Sequence, residues 1–188
     1  MHARRPGPML CISFMFSIAF TAVFGLAYAE PAPFNVEGYT FTLKVPLSVE
    51  PATAYDVMTG DVTPWWDHTM SEEPYRMYIE PKAGGSFLEL FNETGQGVEH
   101  AHVTYARRGK LLRMVGPLGL AGRAFYMVTT WTYEATDNGC SVTCLVNMIG
   151  QVDHETARTV ERVWEHFLIE QLQPYIESGA YKEELDSP

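Results

Sequence analysis

Residues 153–178 read DHETARTVERVWEHFLIEQLQPYIES, and this stretch decides the fold. Ala157, Val160, Trp164, Phe167, Leu168, Leu172, Tyr175 and Ile176 recur three or four apart and make one apolar stripe. Glu155, Arg158, Glu161, Arg162, Glu165 and Glu170 fill the other face, with Glu155/Arg158 and Arg162/Glu165 spaced to pair. Asp153 is placed to cap the start and Gly179 to stop the end. At 1.5 Å per residue the helix is about 35–40 Å long, more than most globular helices. Such a stripe needs a broad apolar surface to cover it. Pro174 removes one backbone donor and is expected to bend the helix near Glu170.

The partner surface lies upstream, where the apolar period changes to two. Residues 37–45 alternate as a strand (Tyr39, Phe41, Leu43, Val45), which Pro46 is expected to end. Pro51 suits the first turn of a short helix over 51–58, and a second short helix is expected over 61–68. Residues 75–80, 86–92, 98–107, 110–116, 123–135 and 140–150 then read as strands. Gly84-Gly85, Glu93-Thr-Gly-Gln-Gly97, Arg108-Gly109 and Asp137-Asn-Gly139 punctuate them as tight links. The expected architecture is α+β: a curved antiparallel sheet of about seven strands, wrapped on the long C-terminal helix. A bent sheet and a straight helix do not close fully, so a mostly apolar cavity is expected between them.

Ahead of this domain, Arg4 and Arg5 precede an apolar run over about 9–26, closed by Ala27-Tyr28-Ala29. That pattern is a secretory leader cut after Ala29, with an uncleaved anchor as the alternative. The expected division is a signal peptide over 1–29 and one domain over 30–188, placed in the periplasm or outside the cell. Losing Arg4 and Arg5 with the leader takes the net charge from −10 to −12. So acidic a chain opposes nucleic acid and anionic lipid as partners, and no further run approaches membrane-spanning length. Cys140 and Cys144, if in one strand, have Cα atoms about 13 Å apart. A disulfide spans about 4.4–6.8 Å, so both are expected as free thiols.

The element order, Trp65-Trp66, Gly84-Gly85 before a strand, and Gly139-x-x-Val142-Thr143 before the final helix resemble the START-like, helix-grip superfamily. That superfamily includes the birch-pollen-allergen fold, polyketide cyclases and heat-shock ATPase activator domains. Trp65-Trp66-x-His68-Thr69-x-Ser71, Glu89, Glu99-His100-x-x-Val103, Leu112-Arg113 and Gly116-Pro117-Leu118-Gly119 are similar to exported bacterial polyketide cyclase/dehydrase-like proteins. The resemblance spans about 39–177. Phe87-Leu88-Glu89 lacks a cysteine often found there, and Gly150-Gln151-Val152 replaces a longer glycine-rich turn. It implies a cavity for a small hydrophobic or amphipathic ligand and no cofactor, in a fold that hosts many functions.

Alternation assigns the faces. Phe125, Met127, Trp131 and Tyr133 share one, as do Cys140, Val142, Cys144, Val146 and Met148, and both sets should face the helix. If Phe87 and Phe91 point inward, Glu89 goes with them, and a buried carboxylate needs a partner. His100 and His102 share a face of the next strand, and His68 can approach the same mouth. A Glu89–histidine cluster in an apolar cavity suits general acid–base chemistry or holding a ligand's polar end. Against this, Ala101, Val103 and Tyr105 form that strand's more apolar face, which turns both histidines to solvent. His100-x-His102 with Glu89 or Glu99 has enough donors for a metal, yet the spacing is weak and no metal is expected. Trp65, Trp66, Trp164, Phe167 and Leu168 complete the expected cavity lining with Phe87, Phe91, Phe125, Met127, Trp131 and Met148. Trp65 and Trp66 fit simple packing as well as a cavity rim, and 116–122 fits a wide hairpin link or a flap. Three functions remain open: a ligand carrier, a cyclase-, dehydrase- or hydrolase-like enzyme using Glu89, and a protein-interaction module.

Overall fold

The computed structural model describes residues 31–185, so the leader read over 1–29 lies outside the described residues. The chain runs β1 (Glu37–Leu47), α1 (Pro51–Val57), β2 (Gly60–Asp61), β3 (Arg76–Ile79), β4 (Ser86–Leu90) and β5 (Gly97–Arg107). It continues with β6 (Leu111–Val115), a 3-10 turn (Leu118–Leu120), β7 (Phe125–Thr136), β8 (Gly139–Gly150) and α2 (His154–Glu165). A π-helical segment (His166–Leu172) carries α2 without a break into α3 (Gln173–Ser178), and α4 (Tyr181–Leu185) follows. The strands form one open antiparallel sheet in the order β1-β8-β7-β6-β5-β4-β3-β2. This is the expected α+β arrangement, a curved antiparallel sheet with a long C-terminal helix, as in a helix-grip fold.

The sheet has eight strands where about seven were expected, because β2 is only two residues long. Its second residue, Asp61, and the turn after it take the place of the second short helix expected over 61–68. The backbone there is claimed by the sheet: Gly60 pairs with Ile79, and the Val62 amide donates to the Met77 carbonyl. Asp61 accepts from the Thr63 amide, and the Trp65 and Trp66 amides fold back on the Val62 carbonyl, giving a turn rather than a helix. Pro46 does not end β1, which runs on to Leu47 opposite Cys140. Among the described residues β1 is an edge strand that pairs with β8 alone, so a residue without an N–H is tolerated there.

Ala157, Trp164, Phe167, Leu168, Leu172 and Ile176 of the helical stripe are buried against Met127, Trp131 and Tyr133 of β7 and the inward set of β8. Cys140 and Cys144 lie in that inward set as buried free thiols. The Asp153 carboxylate accepts the Thr156 amide at 2.8 Å, and Gly179 ends α3 with φ +76. Arg158 pairs with Glu161 rather than Glu155, and Arg162 donates to Thr159 rather than reaching Glu165. The helix answers Pro174 with π winding over the preceding His166–Leu172. In that winding a carbonyl is taken by the residue five ahead, which re-satisfies backbone that a proline disrupts.

One irregularity in β5 shapes the interior. Phe87 of β4 pairs with Ala101, but Leu88 pairs with Glu99, so His100 is an extra residue opposite no partner. This β-bulge turns both His100 and Ala101 inward, and alternation resumes with Val103 buried. Gly116 makes room for it: a Cβ there would lie 2.3 Å from the His100 carbonyl and the Ala101 Cα. A second shift between Val103 and Tyr105 leaves Tyr105 44% exposed, against the face assignment made from alternation.

Candidate functional site

Glu89 is the inward residue of β4 after Phe87, and both are fully buried. Its carboxylate accepts the Met70 amide at 2.8 and 2.9 Å, the Ser71 amide at 2.8 Å and His100 Nε2 at 2.9 Å. Burial pushes the Glu89 carboxyl up, but the two backbone N–H groups and His100 outweigh it and hold the group below its ordinary value. Both oxygens are therefore committed. They pin the loop after Trp66 to the sheet and fix the ring of His100.

That pinned loop closes one side of a cavity of about 300 Å³ between sheet and helix. His68, Thr69 and Met70 contribute from the loop, and His100 from the bulge. Pro117, Leu118, Gly119 and Leu120 contribute from the β6–β7 connection, and Met127 from β7. Thr159, Val160, Val163, Trp164 and Phe167 form the helix wall. Trp66 anchors the aromatic side. It stacks on Phe167 (ring centroids 3.7 Å, 19°) and meets Phe87 and Trp164 edge-on. Its indole N–H donates to the His68 carbonyl at 2.9 Å, tying the tryptophan to the loop that it supports.

A polar cluster stands at the cavity rim. His68 Nδ1 lies 2.7 Å from Asp67 Oδ1, and His166 Nε2 lies 3.0 and 2.7 Å from the two oxygens of the same carboxylate. His166 Nδ1 lies 2.8 Å from Glu170 Oε2, one turn on along the π segment. Glu170 and Asp67 raise the affinity of His166 for its proton. Burial pushes the Asp67 carboxyl up, but its bonds to His68 and His166 bring it below its ordinary range. Donor atoms of Asp67, His68 and His166 all lie within 4.8 Å of one another.

The predicted residues divide clearly. Trp66, Met127, Trp164, Phe167, His68 and His100 line the cavity. Trp65, Phe87, Trp131, Met148 and Leu168 are buried in the packing around it, with Trp65 held by an indole bond to the Val57 carbonyl. Phe125 packs half-buried against the core. Glu89 sits behind His100 rather than in the wall. Phe91 is 40% exposed because β4 ends at Leu90, so alternation no longer governs it. His102 is exposed because the bulge puts it out of phase with His100. That separation also undoes the His100-x-His102 metal reading, and Glu99 bonds Ser86 on the outer face. Sequence reasoning missed Thr69, Met70, Thr159, Val160 and Val163 as cavity residues. Val160 and Val163 flank Trp164 on the helix, a signal within reach of the periodicity, whereas the 67–71 loop has no period to read.

No family model and no curated protein matches the sequence. Among solved structures, an uncharacterized protein from Rhizobium leguminosarum superposes with a TM-score of 0.58 at 13% identity, covering 77% of this chain and 97% of that one. A protein from Mesorhizobium loti gives 0.53 at 17%, covering 74% and 98%. A protein of unknown function from Staphylococcus aureus gives 0.53 at 10%, covering 78% and 98%. At these identities the likeness is one of fold alone.

Proposed function

We propose that this chain is an exported START-like protein that holds a small hydrophobic or amphipathic molecule between its sheet and C-terminal helix. The observation that carries the reading is the cavity itself, walled by Trp66, Met127, Val160, Val163, Trp164 and Phe167 with few polar groups. At about 300 Å³ it is at the lower end of ligand-site volumes and equals about ten water volumes. The occupant is therefore compact, with an apolar body and one polar end directed at His68, Thr69 or His100. The leader pattern over 1–29 supports a periplasmic or secreted setting. Among the described residues no helix is long and apolar enough to cross a membrane.

Native mass spectrometry of protein purified from its own host compartment tests this. A small molecule retained in stoichiometric amount is expected, and its release on unfolding identifies its class. Repeatedly empty protein, together with no binding of the apolar probe anilinonaphthalene sulfonate, would sink the carrier reading.

One observation favours a second reading, an enzyme of cyclase, dehydrase or hydrolase type. His100 lines the cavity while Glu89 holds its Nε2, an orientation that leaves Nδ1 as the nitrogen for general acid–base work. Glu89 then acts through His100 and does not touch the substrate. A retained molecule chemically altered by wild type but not by His100→Asn separates this reading from carriage alone.

A further inference from the structure

We propose that Asp67, His68 and His166 form a binding site for one divalent transition-metal ion of the zinc type at the cavity rim. The inference stands apart from the ligand reading, since it needs nothing in the cavity. Two imidazoles and one carboxylate already converge: His68 Nδ1 and His166 Nε2 both point at the Asp67 carboxylate, at 2.7 Å each. Four-coordinate zinc with ligands at about 2.0–2.1 Å sets its donors about 3.3 Å apart. The two nitrogen–oxygen spacings need to open by about 0.6 Å, and donors now within 4.8 Å close by at most about 1.5 Å, shared between two side chains.

The outer shell points the same way. His166 offers Nε2 to the cluster while Nδ1 is held by Glu170 at 2.8 Å. A carboxylate on the far nitrogen is the arrangement that orients a metal-binding imidazole and fixes its tautomer. The two halves of the site also come from anchored elements. Asp67 and His68 precede the Met70–Ser71 amides held by Glu89, and His166 opens the π segment, a winding often found at functional sites. His68 and His166 face each other with ring centroids 5.1 Å apart.

The donor set selects the ion. Two imidazoles favour zinc, nickel, copper or ferrous iron, whereas magnesium and calcium need mostly oxygen ligands. Three protein ligands leave a fourth position for water or an anionic group, as in open zinc sites. Because His68 also lines the cavity, an ion held here stands where a ligand's polar end would emerge.

The test uses purified protein, stripped with a chelator, dialysed, and titrated with zinc alone in a calorimeter. One ion per chain is expected. His166→Ala and Asp67→Asn should each weaken binding at least about tenfold, and Glu170→Gln by about 10-fold or more through loss of orientation. His102→Ala and His154→Ala, which lie outside the cluster, should bind as wild type does. Cobalt titrated into the unmutated protein supplies a readout that needs no variant. The visible bands of a four-coordinate site are expected, with the largest paramagnetic shifts at the His68 and His166 imidazoles. Absence of stoichiometric binding, shifts centred on other histidines, or full retention of affinity in His166→Ala and Asp67→Asn would overturn the assignment.

Discussion

Glu89→Gln separates an anchoring carboxylate from an incidental one. Glutamine keeps the shape and removes the charge. In wild type the carboxylate serves three donors: the Met70 amide, the Ser71 amide and His100 Nε2. Hydrogen bonds to a charged acceptor contribute about 1.5–3 kcal/mol against about 0.5–1.5 for neutral pairs, so each donor loses about 1 kcal/mol. The glutamine amide also turns an N–H toward His100. The expected loss is about 3 kcal/mol, or roughly 6–12 °C in Tm for a domain of this size. Urea unfolding measures it, and hydrogen exchange over 67–74 should show the Met70 and Ser71 amides opening selectively. The pH dependence has a definite sign. Glu89 titrates below its ordinary value of 4.5 in the folded chain, so the carboxylate's contribution is complete above that value. It is lost as the pH falls through the folded-state value, and the gap between wild type and variant must close in acid. A gap below about 1 kcal/mol at neutral pH, or one unchanged in acid, would refute the reasoning, because the loop amides would then have other partners.

Further outcomes follow from the same geometry. Gly116→Ala sets a Cβ against the His100–Ala101 backbone at 2.3 Å, and should cost about 2–4 kcal/mol in urea unfolding. Val163→Trp should fill the cavity, cutting anilinonaphthalene sulfonate binding while the unfolding free energy moves by less than about 1.5 kcal/mol. Asp153→Ala removes the acceptor of the Thr156 amide at the helix start and should cost about 1 kcal/mol, with the cavity's probe binding unchanged.

Residues whose periodicity reaches the surface of the sequence were legible. Trp164, Phe167, Leu168 and Leu172 announce the helix, and Met127, Trp131, Cys144 and Val146 announce the sheet face that receives it. Phe87 in turn carried Glu89 inside. Reading His100 required more than a period of two. Alternation makes His100 and His102 equivalent, and only the pairing of Phe87 with Ala101 and Leu88 with Glu99 separates them. The turn at Val62–Trp66 was hidden for a different reason. Its local signals suit a helix, but a distant strand pairs with Gly60 and Asp61 and takes the Val62 amide, holding the start of the segment extended. The rim cluster is further still from sequence reasoning. Asp67 and His166 are 99 residues apart, and nothing local to either one names the other. The Glu155, Arg158 and Glu161 spacings offer two equal pairings, and the fold takes the later one.

The bulge in β5 has a consequence for how this site relates to its scaffold. If His100 is struck out of the sequence, Val98, Ala101 and Val103 face inward and Glu99 and His102 outward, an unbroken alternating strand in register with Glu89, Phe87 and Leu88. The buried histidine is thus a single-residue insertion into a sheet that is complete without it. A one-residue deletion should return a folded β5 whose cavity lacks the His100 imidazole. Gain and loss of that group therefore lie one codon apart, with no apolar neighbour having to change.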